Sequence, residues 1–556
     1  MKRMLFLILL VVQNLYSQSN YPKNYFSNPL DTELILNGNF GELRGSHFHS
    51  GLDFKTKFKE GLSVYSAADG YISRISIKHG GFGKAVYIDH PNGYTTVYAH
   101  LKNFSEEIEN YIKKLQYEKK TFQIDHYLKR NILLVRKNQV IGKSGNTGSS
   151  FGPHLHFEIR RTKDQKALNP KLFNFKINDS RHPNINSVYL YQIDSLNNPT
   201  VPLKLNIKKV NDSLYISEKI SLNGRVGFGI TGFDRQDLAS NKNGIYRFSS
   251  FYNNKKSIDF KFDSFFFQES IKIKTLIDYM FYIKNKRRII KLFKDKGNDL
   301  GIYTNQGNGF IQIEDKESEF LIEISDMKRN TTKVIIPIVK GININKLNKS
   351  QKFTDFNTKI VDEMDYDFDY GKSSIQISKN SFLKDVELFI KSNNDTIKII
   401  NPYVPLFKNI RISLLNKNPK KGNYLVNKNF DGDESFASAK INKNNKFTVK
   451  TKSLGTYYIK NDSIKPSIKP LNFKNGDWIS TKKIIKFKIK DDESGIKKYN
   501  VKINGKWILF EYEYKKDELF YEFDSYFENN TKNEIEISVE DMVGNESKKT
   551  YTFFRN

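Results

Sequence analysis

The sequence predicts a mainly β protein: an N-terminal antiparallel β domain with a helical insertion, followed by two or three β-sandwich modules. Three observations predict it. Ala85–His90 and Tyr94–His100 alternate as strands, and Pro91-Asn92-Gly93 between them supplies an Asn-Gly pair suited to a tight hairpin. Past Phe175 the chain changes to short alternating runs of Lys, Asn, Phe, Tyr and Ile. Within that region one pattern occurs twice, which is how a repeated β module reads.

In the N-terminal part, Val64–Ala67 and Tyr71–Ile77 read as further strands around Asp69-Gly70. Phe104, Ile108, Tyr111, Ile112 and Leu115 recur at helical spacing, with Asn103 and Glu106 as the expected cap. This helix belongs to a long connection, Leu101–Lys137, that returns to β-type sequence near Val135. The repeated pattern begins at Asn243-Gly244-Ile245, passes through Phe260–Phe265 and reaches Ile324-Ser325-Asp326-Met327 with Asn330. Its second copy runs from Ser494-Gly495-Ile496 through Tyr521–Tyr526 to Val539-Glu540-Asp541-Met542 with Asn545. Each copy ends in a strand, an Asp-centred turn and a last strand. The expected division is a leader at 1–17, the first β domain at 34–176, a β-sandwich at 183–342, a β-rich module at 346–460 and an Ig-like β-sandwich at 464–556. Pro466 and Pro470 mark the last linker.

Length and composition set limits on this reading. A chain of 556 residues is too long for one core, and 38% hydrophobic with 14% aromatic residues is enough to fold several. The formal charge of +30 would suit an anionic partner, but the lysines are spread among asparagines and form no dense block. A lysine-rich solvated surface is therefore expected, and no nucleic-acid partner. Lys2 and Arg3 precede the apolar run Met4–Val12, and Leu15-Tyr16-Ser17 offers a cleavage site. The run is shorter than the ~20 residues needed to span a bilayer, so export is expected, with no stable membrane span after cleavage. The absence of cysteine excludes a thiolate metal site, a cysteine nucleophile, disulfides and a lipidated cysteine anchor.

The chemistry is concentrated early: eight of nine histidines precede residue 160. His47-Phe48-His49-Ser50-Gly51-Leu52-Asp53 offers a nitrogen and a carboxylate oxygen across a short turn. Tyr98-Ala99-His100-Leu101 carries a third imidazole. His154-Leu155-His156-Phe157-Glu158 alternates as a strand, so its two imidazoles share one face. One of them would bind a metal while the other reaches water or substrate. Catalytic zinc takes three such ligands and keeps one position open.

The combination His-x-x-x-Asp, Tyr-x-His-Leu and Gly-x-Thr-Gly-x-Ser-x-Gly-Pro-His-Leu-His-Phe-Glu resembles the lysostaphin/LytM-type zinc endopeptidases. Phe40–Arg44, Gly81-Phe82-Gly83 and Val140-Ile141-Gly142 also match that family's framework, and the resemblance covers residues 34 to 175. It implies an open-grooved β domain that cuts peptide bonds in peptidoglycan. It also implies one Zn2+ held by His49, Asp53 and His156, with His154 as catalytic histidine and His100 stabilising an oxyanion. The insertion between Leu101 and Lys137 is longer than compact relatives need and would lie near the groove. His47 is expected to be supporting or structural, His90 a packing residue, and His79 and His126 without a role. The implied location is the periplasm or cell surface. The C-terminal modules would position the peptidase or bind a protein or wall partner. The alternatives are a non-catalytic wall-binding scaffold dominated by these modules, or an activator of other wall hydrolases like relatives that have lost ligands, against which the five positions present here argue.

Overall fold

The computed structural model describes residues 21–45, 47–195, 198–341, 356–393 and 395–556, so the expected leader at 1–17 lies outside the described residues. The protein is mainly β, with antiparallel sheets in the N-terminal domain and several β-rich modules after it. Among the described residues, no helix is long and apolar enough to cross a membrane.

The N-terminal domain is built from β1 (Leu36–Gly38), β2 (Leu52–Lys55), β3 (Ser63–Tyr65), β4 (Gly70–Ile77), β5 (Lys84–Asp89) and β6 (Tyr94–Phe104). Then come α1 (Glu106–Lys119), β7 (Ile124–Tyr127), β8 (Leu134–Val135), β9 (Val140–Ser144), β10 (His154–Arg161) and β11 (Ala167–Leu168). The main sheet runs β1-β2-β10-β6-β5-β4-β7, with β9 joining β6 to β3. Gly93 closes the β5–β6 hairpin at φ 83°, a conformation open to glycine without strain. One side of the sheet packs Leu52, Phe54, Tyr98, Leu155 and Phe157 into the core. The other carries a small apolar floor of Ala85, Tyr87, Val97 and Ala99, with Phe82 against it.

The helix differs from expectation at its start. Asn103 does not cap it, because β6 stays paired with β9 as far as Phe104 opposite Gly142. Ser105 is the N-cap residue, and Glu109 reaches back to accept from the Phe104 N–H at 3.0 Å. The rest of the insertion carries two short strands between its turns. β7 and β8 both pair with β4 and extend the sheet at its edge.

Two sheets form the next module, with Asn184–Gln192 beside Gly224–Phe233 in one, and Arg247–Tyr252, Glu317–Ser325 and Thr331–Lys340 in the other. Six- and five-stranded sheets enclose a separate core over Thr358–Asn461, and four- and five-stranded sheets do so over Ser467–Phe554. The cores of the N-terminal domain and the first module, however, are one. β11 pairs with Ser264–Phe265, Phe40 meets Phe265 at 4.9 Å, and Phe48 meets Phe262 at 5.6 Å. Gln236 accepts from the Leu36 N–H at 2.8 Å and donates to the Leu34 carbonyl at 3.0 Å. Packing therefore continues across residue 176.

This shared core gives a direct expectation. Phe48→Ala should cost about 3–5 kcal/mol, the usual result of emptying an aromatic site. A chain ending at residue 177 should lose a cooperative thermal transition, whereas one ending at 341 should keep it. Calorimetry of the two truncations checks this; a sharp melt of the shorter chain would refute a common core.

Candidate metal centre

β2 and β10 place the first members of the site. In their antiparallel register His156 stands opposite Asp53, so both side chains leave the same face. His154 follows on that face two residues away. Gly51 lets the strands cross closely: a Cβ there would lie 2.4 Å from the Phe157 carbonyl oxygen and 3.0 Å from the His156 ring. His49 then reaches across the turn. Its Nε2 lies 3.0 Å from Asp53 Oδ1 and 3.1 Å from His156 Nδ1, and His156 Nδ1 lies 2.9 Å from Asp53 Oδ1. His49, Asp53 and His156 are 6%, 6% and 3% exposed, so the cluster is largely screened from bulk water.

The far nitrogens of the two imidazoles define what the near ones present. His49 Nδ1–H donates to the Asn39 carbonyl at 2.7 Å, which leaves its Nε2 as a lone pair. His156 Nε2–H donates to Glu158 Oε1 at 3.0 Å, so in the neutral ring Nδ1 is the lone pair. Two lone pairs and a carboxylate oxygen thus converge on one buried point and require positive charge there. Burial alone would lower the His156 pKa, yet its bonds to Asp53 and Glu158 raise it to about 9. Burial would raise Asp53, but the surrounding histidines hold it well below the usual carboxylate range. A proton or a metal ion satisfies the cluster. Separations of 2.9 to 3.1 Å approach the edge of roughly 3.3 Å for a tetrahedron of ~2.0–2.1 Å metal–ligand bonds. The donor set of two imidazoles and one carboxylate fits a catalytic metal.

Supporting groups continue outward. Glu158 is fully buried, and although burial opposes its charge, Arg160, His156 and Ser50 draw its pKa down to about 2. Arg160 in turn lies over the Phe267 ring at 4.5 Å, a residue of the first module. Arg44 bridges Asp53 Oδ2 at 3.0 Å and Glu42 at 3.1 Å. These carboxylate–histidine and arginine–carboxylate contacts fix ligand orientation. Glu158 had a readable signal, being two residues beyond His156 on the same strand face. Asn39 had none, because only its backbone takes part.

His100 arrives by a different route. Ala99 stands opposite His156, so a regular strand would turn His100 into the core. Instead its φ is 60°, a rare conformation for a non-glycine residue, and the β6 ladder shifts register beside it. The ring is thereby placed 4.8 Å from His154 and 5.9 Å from His156. His100 Nδ1–H donates to the Thr147 carbonyl at 2.8 Å, and His154 Nδ1–H donates to the Gly152 carbonyl at 2.8 Å. Both rings in their neutral form then present Nε2 as an acceptor. His154 Nε2 lies 3.5 Å from Asp53 Oδ1. Burial, with His154 and His156 beside it, pushes the His100 pKa down to about 3, so this ring is neutral. Gly148, at φ 73°, lies flat against Gly81 and Gly83 and brings the Thr147 carbonyl to His100.

The other histidines stand apart. His90 is buried between the Asp69 carbonyl and Thr96, at 2.8 Å from each, and His47 is exposed at a turn. His126 meets the Tyr111 hydroxyl at 3.1 Å, while His79 stacks on Phe122.

The last module forms part of the rim. Lys515 Nζ donates to the carbonyls of Asn146 at 2.5 Å and Ser150 at 3.2 Å, tying both ends of the loop before His154. Glu511 pairs with buried Lys84 at 2.8 Å and Asp524 with Lys113 at 2.7 Å. Tyr117 of α1 stacks on Tyr526 at 3.8 Å. The insertion is thus the seat of the last module.

Residues 47–117 and 116–170 match Peptidase family M23, and residues 360–462 match the Zu5-like domain. The DD-carboxypeptidase/endopeptidase Mpg of Neisseria meningitidis is 38% identical over 112 residues, which are 20% of this chain and 20% of that protein. The peptidoglycan DD-endopeptidase ShyB of Vibrio cholerae is 33% identical over 111 residues, again 20% of each. The chain therefore spans about a fifth of the length of these relatives. The catalytic domain of the antimicrobial peptidase lysostaphin from Staphylococcus simulans is 23% identical over 24% of this chain and 87% of that one, with a TM-score of 0.19. Residues 47–170, which carry His49, Asp53, His100, His154 and His156, form a domain of peptidase family M23.

Proposed function

We propose that the protein is an exported zinc metalloendopeptidase that hydrolyses peptide bonds in the stem peptides or cross-links of peptidoglycan. One observation carries this reading: two imidazole lone pairs and the Asp53 carboxylate converge at 2.9 to 3.1 Å, with two further imidazoles beside them. The endopeptidase names of the M23 relatives support the substrate class. The location is periplasmic or at the cell surface, where that substrate is found.

His49, Asp53 and His156 would hold the ion. Zinc supplies Lewis acidity, which polarises a peptide carbonyl and acidifies water near neutral pH. His154, with Nε2 facing the cluster, takes the proton lost by the attacking water and returns it to the leaving amine. His100, neutral with Nε2 as an acceptor, orients the attacking water; the oxyanion role expected of it would need a second proton on the ring, which burial and the neighbouring histidines disfavour. The modules beyond residue 341 position the groove or hold a protein or wall partner.

Digestion of purified peptidoglycan tests the reading. Wild-type protein with zinc should release new amine termini, and a chelator should abolish this. His154→Ala should lower the rate about 10²–10⁴-fold while metal content is retained. No release by the zinc-loaded wild type would leave the non-catalytic activator or scaffold instead. Glu158→Gln should keep the fold yet weaken metal affinity about 10–100-fold, since the outer partner of a ligating imidazole is lost. Competition with a chromogenic chelator measures it, and unchanged affinity would remove Glu158 from the support of the site.

A further inference from the structure

The repeated Asp-centred turns have no part in peptidase chemistry, yet the structure makes them the same device twice. The Asn330 N–H donates to Asp326 Oδ1 at 2.8 Å, and its Nδ2 donates to Asp326 Oδ2 at 2.7 Å and to the Asp179 carbonyl at 3.1 Å. In the last module the Asn545 N–H donates to Asp541 Oδ1 at 2.8 Å. Its Nδ2 donates to Asp541 Oδ2 at 2.8 Å and to the Asp462 carbonyl at 3.0 Å. Each asparagine ties the segment leading into its module to the turn near its end. Asp179 and Asp462 come with those segments. A third carboxylate follows a strand in each case: Asp234 after Gly224–Phe233, and Asp491 after Ile484–Lys490. In both modules one ligand atom from each of the three aspartates lies within 4.8 Å of the others.

Three carboxylates this close repel unless something positive joins them. The chain has 91 lysines and arginines, yet among the described residues no Lys, Arg or His nitrogen lies within 4.0 Å of any of the six. Lys171 acts on the first triad only from beyond that distance. Asp234 is 2% exposed, its carboxylate faces the other two, and its Oδ1 is buried without a hydrogen-bond partner. An oxygen in that state is costly to bury and signals a missing partner. Ser494, whose N–H donates to Asp462 Oδ2 at 3.2 Å, also has a buried hydroxyl without a partner.

We propose that the two triads, Asp179–Asp234–Asp326 and Asp462–Asp491–Asp541, are equivalent binding sites for a hard divalent cation, Ca2+. All-carboxylate donors from three separate segments suit its flexible oxygen coordination, whereas Mg2+ demands a near-ideal octahedron and keeps its waters. Each ion would join a lead-in segment to two loops of the module it enters. The first would stiffen the passage from the peptidase domain, and the second the passage from the middle module to the last. The sites are independent of the proposed peptide cleavage.

Calorimetric titration of CaCl2 into the zinc-loaded full chain tests this. Saturation at two ions per chain is expected, together with a rise in Tm, and a much weaker response to MgCl2. Asp234→Asn and Asp541→Asn should each leave one site, and the double variant none. Asp53→Asn, in the peptidase cluster, should leave both. Circular dichroism checks that the variants fold; if they do not, the wild-type stoichiometry decides. Absence of saturable binding at millimolar Ca2+, or unchanged stoichiometry in the folded double variant, overturns the proposal. A single wild-type site would overturn it for whichever triad its variant leaves unaffected, and equal Mg2+ affinity would overturn the choice of ion.

Discussion

The pairing of β2 with β10 is the constraint on which the site depends. It sets His156 opposite Asp53 and sends both toward one point, while Gly51 allows the approach that brings His49 to the same place. A slip of one residue would turn both histidines of β10 into the core, because side-chain direction alternates along a strand. The register is held by what lies underneath. Leu52, Phe54, Leu155 and Phe157 face the interior, and any slip would exchange these apolar side chains for imidazoles and carboxylates. Hydrophobic burial on one face thus enforces an electrostatically unfavourable gathering on the other. The convergence of lone pairs does not hold itself together.

That gathering draws support from beyond the matched domain. Glu158 is kept ionised in a fully buried position by Arg160, and Arg160 rests against Phe267 from the first module. Phe40 and Phe48, which flank the turn carrying His49, pack on Phe265 and Phe262 of that module. Removing the module would therefore disturb the orientation of the candidate ligands as well as expose apolar surface. The first module is structurally part of the N-terminal domain.

Much of this was legible in the sequence. The period of two in His154–Phe157 shows a shared face, the Asn-Gly pair shows the hairpin, and apolar spacing shows α1. His100 was legible as a residue type but not by geometry, since strand parity sends it to the wrong face and only a φ of 60° reverses it. The cap of α1 was misplaced because Asn103 is a good capping residue locally, while pairing of Phe104 with Gly142 keeps that stretch extended. Here tertiary context overrode local preference. The common core across residue 176 was not legible, because composition changes there while packing does not.

The last module shows how a distant segment acts on the site. Lys84 is buried beside Ala85 on β5, and its charge is matched by Glu511, more than four hundred residues along the chain. An unpaired buried ammonium would be costly, so seating the module and burying Lys84 are coupled events. Lys515 holds the carbonyls at both ends of the loop whose Thr147 carbonyl fixes the His100 ring. Movement of the module would release that loop and with it the tautomer of His100. The contact joins an aromatic stack, Tyr117 on Tyr526, to an ion pair, Lys113 with Asp524. The histidine cluster is thus shaped by two parts of the chain, one that supplies its side chains and one that holds the loop beside it.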